Sequence, residues 1–233
     1  MDRVCLRRLI SPVCCLVTAF LAGCAELPEL AWWPSLGEQV TDHVPGVSPP
    51  SRRLADLEEL GRKAARSDPQ QVQQVSAELA RTIQTEEDPL IRATVIRTLG
   101  QYPGATADSV LRAALNDPDT GVRVAACEVW GIRAGPEAVT ALSDALASDV
   151  DVDVRLAAAR ALGRTGDRAA IAALGEVLDD KDPALQYRAV LSLRSITGED
   201  FDNDVNRWQQ YVKGEIPPTR PPVSLADQLR RLF

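Results

Sequence analysis

One pattern recurs four times at near-constant spacing, and it limits the possible folds more than any other feature of the chain. It opens with Asp, has an apolar residue near the third position and a basic or polar one next. Small and apolar positions follow, then Leu or Trp, then Gly. It runs from Asp88 through Arg92 to Leu99-Gly100, and from Asp119 through Arg123 to Trp130-Gly131. It runs again from Asp151 through Arg155 to Leu162-Gly163, and from Asp182 through Gln186 to Leu193. The leading aspartates are 31, 32 and 31 residues apart. A second set follows each first one: Ala107, Ala138 and Ala170, then Leu111, Leu142 and Leu174, then Leu115, Leu146 and Leu178. Within each half the apolar residues fall at helical intervals. Each unit is therefore predicted to be two helices. One such pair cannot bury both of its faces, so the units must stack on one another. The Asp suits an N-cap, Pro89 and Pro183 suit a first helical turn, and Gly100, Gly131 and Gly163 suit helix C-termini.

These residues resemble the HEAT repeat, in its short Ala-rich form named from phycobilisome lyases. The match covers four first helices and three second helices, roughly residues 86–197. The resemblance implies an all-α fold, a right-handed α–α superhelix of about four to five helix pairs. It also implies that the recurring Asp and Arg pair as a ladder along the solenoid. Asp88/Arg92, Asp119/Arg123 and Asp151/Arg155 are, in addition, i, i+4 pairs on one helix. Gln186 stands where the fourth unit would have Arg, so the ladder should stop there.

The N-terminus reads as an address. Residues 1–23 carry Arg3, Arg7 and Arg8, then an apolar run from Leu9 to Leu21 that is short for a membrane span. The run ends in Leu21-Ala22-Gly23-Cys24, which resembles a bacterial lipobox. That resemblance implies cleavage before Cys24, a lipid on its sulfur, and a membrane anchor. Ala25, not Asp, follows Cys24 and leans the expected location towards the periplasmic face of the outer membrane. Cys5, Cys14 and Cys15 would leave with the signal, so Cys127 would be the sole unmodified thiol.

Residues 24–50 form a Pro-rich linker, where Trp32 and Trp33 would either enter the headgroup region or pack on the first helices. Residues 51–85 suggest an N-terminal capping helix pair or a partial earlier repeat, and 198–213 a C-terminal capping segment in which Phe201, Trp208 and Tyr211 close the last apolar face. Residues 214–233 read as a Pro-rich tail and a short amphipathic helix. Its Leu225, Leu229, Leu232 and Phe233 share one face, for the body or for a partner.

Catalytic chemistry is sparse. The one histidine, His43, lies in the linker, so a Ser–His–Asp or Cys–His arrangement has little to draw on. Asp200, Asp202, Asp204 and Asn206 have calcium-loop spacing, but Val205 and Tyr211 occupy the Gly and Glu positions, so a cap and turn are expected. Asp149, Asp151 and Asp153 alternate around a capping Asp and read the same way. Cys127 aligns with Ile96, Ala159 and Val190 and should be a buried, inert thiol. Trp130 should be core. A net charge of −7 argues against a general nucleic-acid binder.

The expected function is a non-catalytic, lipid-anchored scaffold of the cell envelope, with no cofactor and no metal, that binds a protein partner. The second helices should line its groove and expose Arg112, Thr140, Ser143, Asp144, Ala172 and Glu176. The alternative, by analogy with the phycobilin lyases of the repeat family, is an enzyme or lyase-like subunit acting on a cofactor or a protein.

Overall fold

Residues 44–233 form one unit of the chain. The computed structural model describes residues 48–215, all within that unit. Cys24, Trp32, Trp33, His43 and the apolar residues of 225–233 lie outside the described residues.

Ten α-helices follow in pairs among the described residues. They are α1 (Pro50–Lys63) and α2 (Pro69–Thr85), α3 (Pro89–Leu99) and α4 (Ala105–Ala114), α5 (Thr120–Arg133) and α6 (Pro136–Ser148). Then come α7 (Val152–Thr165) and α8 (Ala170–Glu176), extended by a 3₁₀ turn at Val177–Asp179, and α9 (Pro183–Thr197) and α10 (Val205–Val212). The first helices stack in order, α1 on α3, α3 on α5, α5 on α7, α7 on α9, which makes an all-α solenoid. None of these helices is long and apolar enough to cross a membrane.

The repeated Asp starts each first helix as expected. Asp88, Asp119, Asp151 and Asp182 each accept a hydrogen bond from a first-turn backbone N–H. The recurring glycines sit at helix C-termini as expected, Gly100 as the C-cap of α3 and Gly131 and Gly163 in the last turn of α5 and α7, but not to make a left-handed turn. Gly100 has right-handed helical dihedrals, and Gly131 and Gly163 lie inside their helices, so none is a left-handed C-terminal cap. They are small because the next first helix comes too close for a side chain. A Cβ on Gly131 would sit 2.8 Å from Ala161 Cα, and one on Gly163 would sit 2.7 Å from Ser192 Cβ. In the last pair the equivalent position is Arg194, where no further first helix follows among the described residues.

The pair α1/α2 shares this register. Gly61 and Arg53 stand twelve and four residues after the N-cap Pro49, the same offsets as Gly100 and Arg92 from Asp88. Thr98 of α3 donates its hydroxyl to Leu57 O of α1 at 3.1 Å, as Ser192 of α9 does to Ala159 O of α7 at 2.8 Å. The pair is thus a full repeat, lengthened at its turn.

The core runs through the stack as alanines and leucines, with Leu57, Leu79, Ile91, Val95, Leu99, Tyr102 and Ala107 as its first section. Phe201, Trp208 and Tyr211 close the other end. The Phe201 ring centroid lies 4.8 Å from that of Trp208 and 5.5 Å from that of Tyr211, and Trp208 is fully buried. The acids before them serve the turn: Asp200 pairs with Arg194 at 2.8 Å, and Asp204 caps α10.

A candidate binding cleft between the second helices of pairs two and three

Neighbouring second helices pack in the pairs α2–α4 and α6–α8, but α4 and α6 barely touch. A cleft of about 680 Å³ opens between them. Arg112, Leu115 and Asn116 of the α4 side face Glu137, Thr140, Ala141, Asp144, Ala145 and Ser148 of α6. Small residues keep it open: Ala141 and Ala145 stand where longer side chains would fill it. Arg112 and Glu137 bridge the cleft at 3.1 Å, both more than half exposed. Asp144 is exposed and has no ion pair among the described residues. Val150, wholly exposed, forms an apolar lip.

One end of the cleft is built by a charge ladder whose partners differ from the expected ones. Arg92 and Arg123 do not pair with the Asp four residues before them. Arg92 grips Asp117 through two bonds of 3.0 and 2.9 Å, and Arg123 grips Asp149 through two of 2.8 and 3.1 Å. Arg155 pairs likewise with Asp180, and Arg53 with Glu86. Each of these acids stands two residues before the next capping Asp and accepts its backbone N–H, from Asp88, Asp119, Asp151 or Asp182. The capping Asp is already committed to its own helix end, so the arginine takes the acid of the adjoining turn. Both Arg92 and Arg123 are held above the ordinary guanidinium value, first by the hydrogen bond to their Asp. Gln186 retains only the backbone contact, donating to Asp180 O at 2.7 Å, and the ladder ends there.

Of the site residues expected from sequence, Arg112, Thr140 and Asp144 line this cleft. Ser143 is half-buried on α6, and Ala172 and Glu176 are exposed on α8, away from the cleft lining. Asn116, Asp117, Arg123, Ser148 and Asp149 line it without having been singled out for binding. The acid two residues before each repeat's Asp was the visible signal for two of them.

Cys127 is fully buried and its thiol is pushed up to about 12, chiefly by desolvation. Trp130 is buried too, its indole donating to Leu111 O of α4 at 3.3 Å. Among the described residues no group of three or more His, Cys, Asp or Glu side chains is placed to hold a metal ion.

Among solved structures, the chain is similar to the complex of CpcE and CpcF of phycocyanin lyase from Nostoc sp. PCC7120. The likeness is 22% in sequence, with a TM-score of 0.44, over 67% of this chain and 95% of that one. No curated protein matches. The family model for HEAT repeats matches residues 76–158 and 141–204, more than half of the 233 residues. The helix pairs, their stacked first helices and this match together make the chain a member of the HEAT-repeat family.

Proposed function

We propose that this chain is a non-catalytic binding module, held to a bacterial envelope membrane by a lipid on Cys24, that engages a protein partner through the α4–α6 cleft. The cleft carries the reading. It is large enough to take a peptide segment, it pairs an apolar lip and floor with charged walls, and Asp144 is left for a partner. A photo-crosslinking residue at Thr140 should capture the partner, and the same residue at Arg160 of α7, on a first helix, should not. Capture from Arg160 alone would sink the cleft reading. The anchor is tested separately: Cys24→Ser should move the protein from detergent-extracted membrane to the soluble fraction.

The alternative is a subunit of a lyase, as in the phycocyanin lyase complex. It rests on likeness of fold. It gains ground if the purified full-length protein binds a linear tetrapyrrole and loses it on Asp144→Ala.

A further inference from the structure

On the reading that the α4–α6 cleft is the partner site, we infer that the partner seats a lysine or arginine side chain against Asp144, flanked by small apolar residues. The other charges that line the cleft are spent. Arg112 is paired with Glu137, and Arg123 is held by Asp149 through two bonds. Asp117 is gripped by Arg92, which is not itself a lining residue. Asp144 alone of the charged lining residues has no ion pair among the described residues, and it is exposed.

The place of Asp144 on its helix does not serve the fold. Its neighbours three and four residues away are Thr140, Ala141, Ala147 and Ser148, so no cation of α6 meets it along the helix. It lies one turn before the carboxyl end of α6, where the helix dipole disfavours an acid, and the last turn of α6 holds no basic residue. Arg155 of α7 donates to Leu146 O at this helix end, at 3.1 Å, but its charge is taken by Asp180. A neutral residue at position 144 would suit α6 better. A partner's cation would offset the dipole penalty and supply the missing counter-charge.

The walls fix the rest of the segment. Leu115 and Ala141 are half-buried, and Val150 is wholly exposed at the rim, so apolar surface flanks the acid. Apolar residues of a partner gain by covering it. The short side chains of Ala141 and Ala145 leave room for a lysine or arginine stem along the floor, with its charged head at Asp144. An acidic segment meets the opposite situation. Arg112, the more exposed of the two lining cations, is already engaged by Glu137, and Asp144 repels a second acid.

The test uses detergent-solubilised full-length protein with a benzophenone photo-crosslinker in place of Thr140, which lines the cleft one turn before Asp144. The probes are three pentapeptides, N-acetylated and amidated at the C-terminus: Ala-Val-Lys-Val-Ala and the same frame with Gln or Glu at its centre. The Lys peptide should label about 3- to 5-fold more than the Gln peptide, the size of a partly exposed ion pair, and the Glu peptide should label least. Asp144→Asn should bring the Lys peptide down to the Gln level, and high salt should do the same with Asp144 in place. Equal labelling by all three peptides would overturn the cationic assignment and leave the cleft standing as a peptide site. A Lys preference that survives Asp144→Asn would overturn Asp144 as the acceptor, and a Glu preference would reverse the charge class. No labelling by any of the three would remove the cleft reading along with the assignment.

Discussion

Arg123 reaches forward to Asp149, 26 residues ahead, and not back to Asp119, four residues behind. Asp149 in turn accepts the backbone N–H of Asp151, the cap of the next first helix. The pair therefore ties one repeat's first helix to the start of the next and shapes one end of the cleft. Its side chains are 12% and 8% exposed. That places Arg123→Met between the exposed and fully buried limits, at a loss of about 2 kcal/mol. Arg123→Gln should lose less, because Gln186 shows that an amide keeps the backbone contact. The double variant Arg123→Gln/Asp149→Asn should recover part of the loss. Urea unfolding of wild type, Arg123→Met, Arg123→Gln, Asp149→Asn and the double variant measures these losses, and losses of Arg123→Gln and Asp149→Asn that simply add in the double variant would mean the pair is not coupled.

The glycines give a contrast within one register. Gly131→Ala should destabilise by about 1–3 kcal/mol, because its Cβ would meet the backbone of Ala161 at 2.8 Å and an overfilled contact forces the helices apart. Gly61→Ala has 3.8 Å to its nearest neighbour and lies inside α1. It should stabilise by up to about 1 kcal/mol through helix propensity. Thermal unfolding of both variants checks the sign of each. Equal effects would mean that the stack does not close at Gly131.

How much of this was legible in the sequence depends on whether the signal is local. Caps are local: Asp88, Asp119, Asp151 and Asp182 read correctly because an N-cap is set within three residues. The 31-residue period gave the stacking for the same reason, as a pattern of faces. The ladder was misassigned because the i, i+4 spacing is visible along one helix, whereas the true partner lies across a turn whose path the sequence does not spell out. The place of the glycines at the helix ends was legible but their reason was not, because a close approach between helices and a left-handed cap leave the same residue at the same place. The pair α1/α2 reads from sequence only as a cap or a partial repeat, because Pro49 holds the capping position and the turn is longer. Its Arg53, Gly61 and Glu86 keep the offsets that mark it. In the cleft, Arg112 and Asp144 were within reach of helical periodicity. Glu176 was not separable from them, because the divergence of α4 from α6 is a property of packing.

Acid should loosen the solenoid at identifiable points. The Asp151 carboxyl is held below the usual aspartate range, first by the N–H of Asp153 and then by the Thr120 hydroxyl. The Asp180 carboxyl is held down by the N–H of Asp182 and by Arg155. A carboxyl depressed in the folded state binds its proton more readily once unfolded. Its contribution is therefore present above the unfolded value near 3.9 and is lost as pH falls through the lower folded value. Urea midpoints should drop from pH 5 towards pH 3, and Asp180→Asn should flatten that slope. An unchanged slope would mean that Asp180 titrates alike in both states.

Cys127 should be unreactive in the native protein. Its thiol is fully buried and pushed up to about 12, so at pH 8 it offers neither thiolate nor access. The unfolded chain ionises first, so this group favours the folded state less as pH rises above the ordinary thiol value near 8.5. Labelling by a thiol-reactive dye at pH 8 should proceed at the rate of opening and accelerate in urea. Immediate stoichiometric labelling in buffer would contradict the buried position.

The central claim is that the α4–α6 cleft is where the chain meets its partner. The most direct measurement is affinity capture of detergent-solubilised full-length protein against two charge-reversed forms. One carries Arg112→Glu and Asp144→Lys in the cleft, and the other carries Arg160→Glu and Arg164→Glu on α7. One envelope protein should be retained by wild type and by the α7 form, and lost from the cleft form. Retention by the cleft form, with loss from the α7 form, would contradict it.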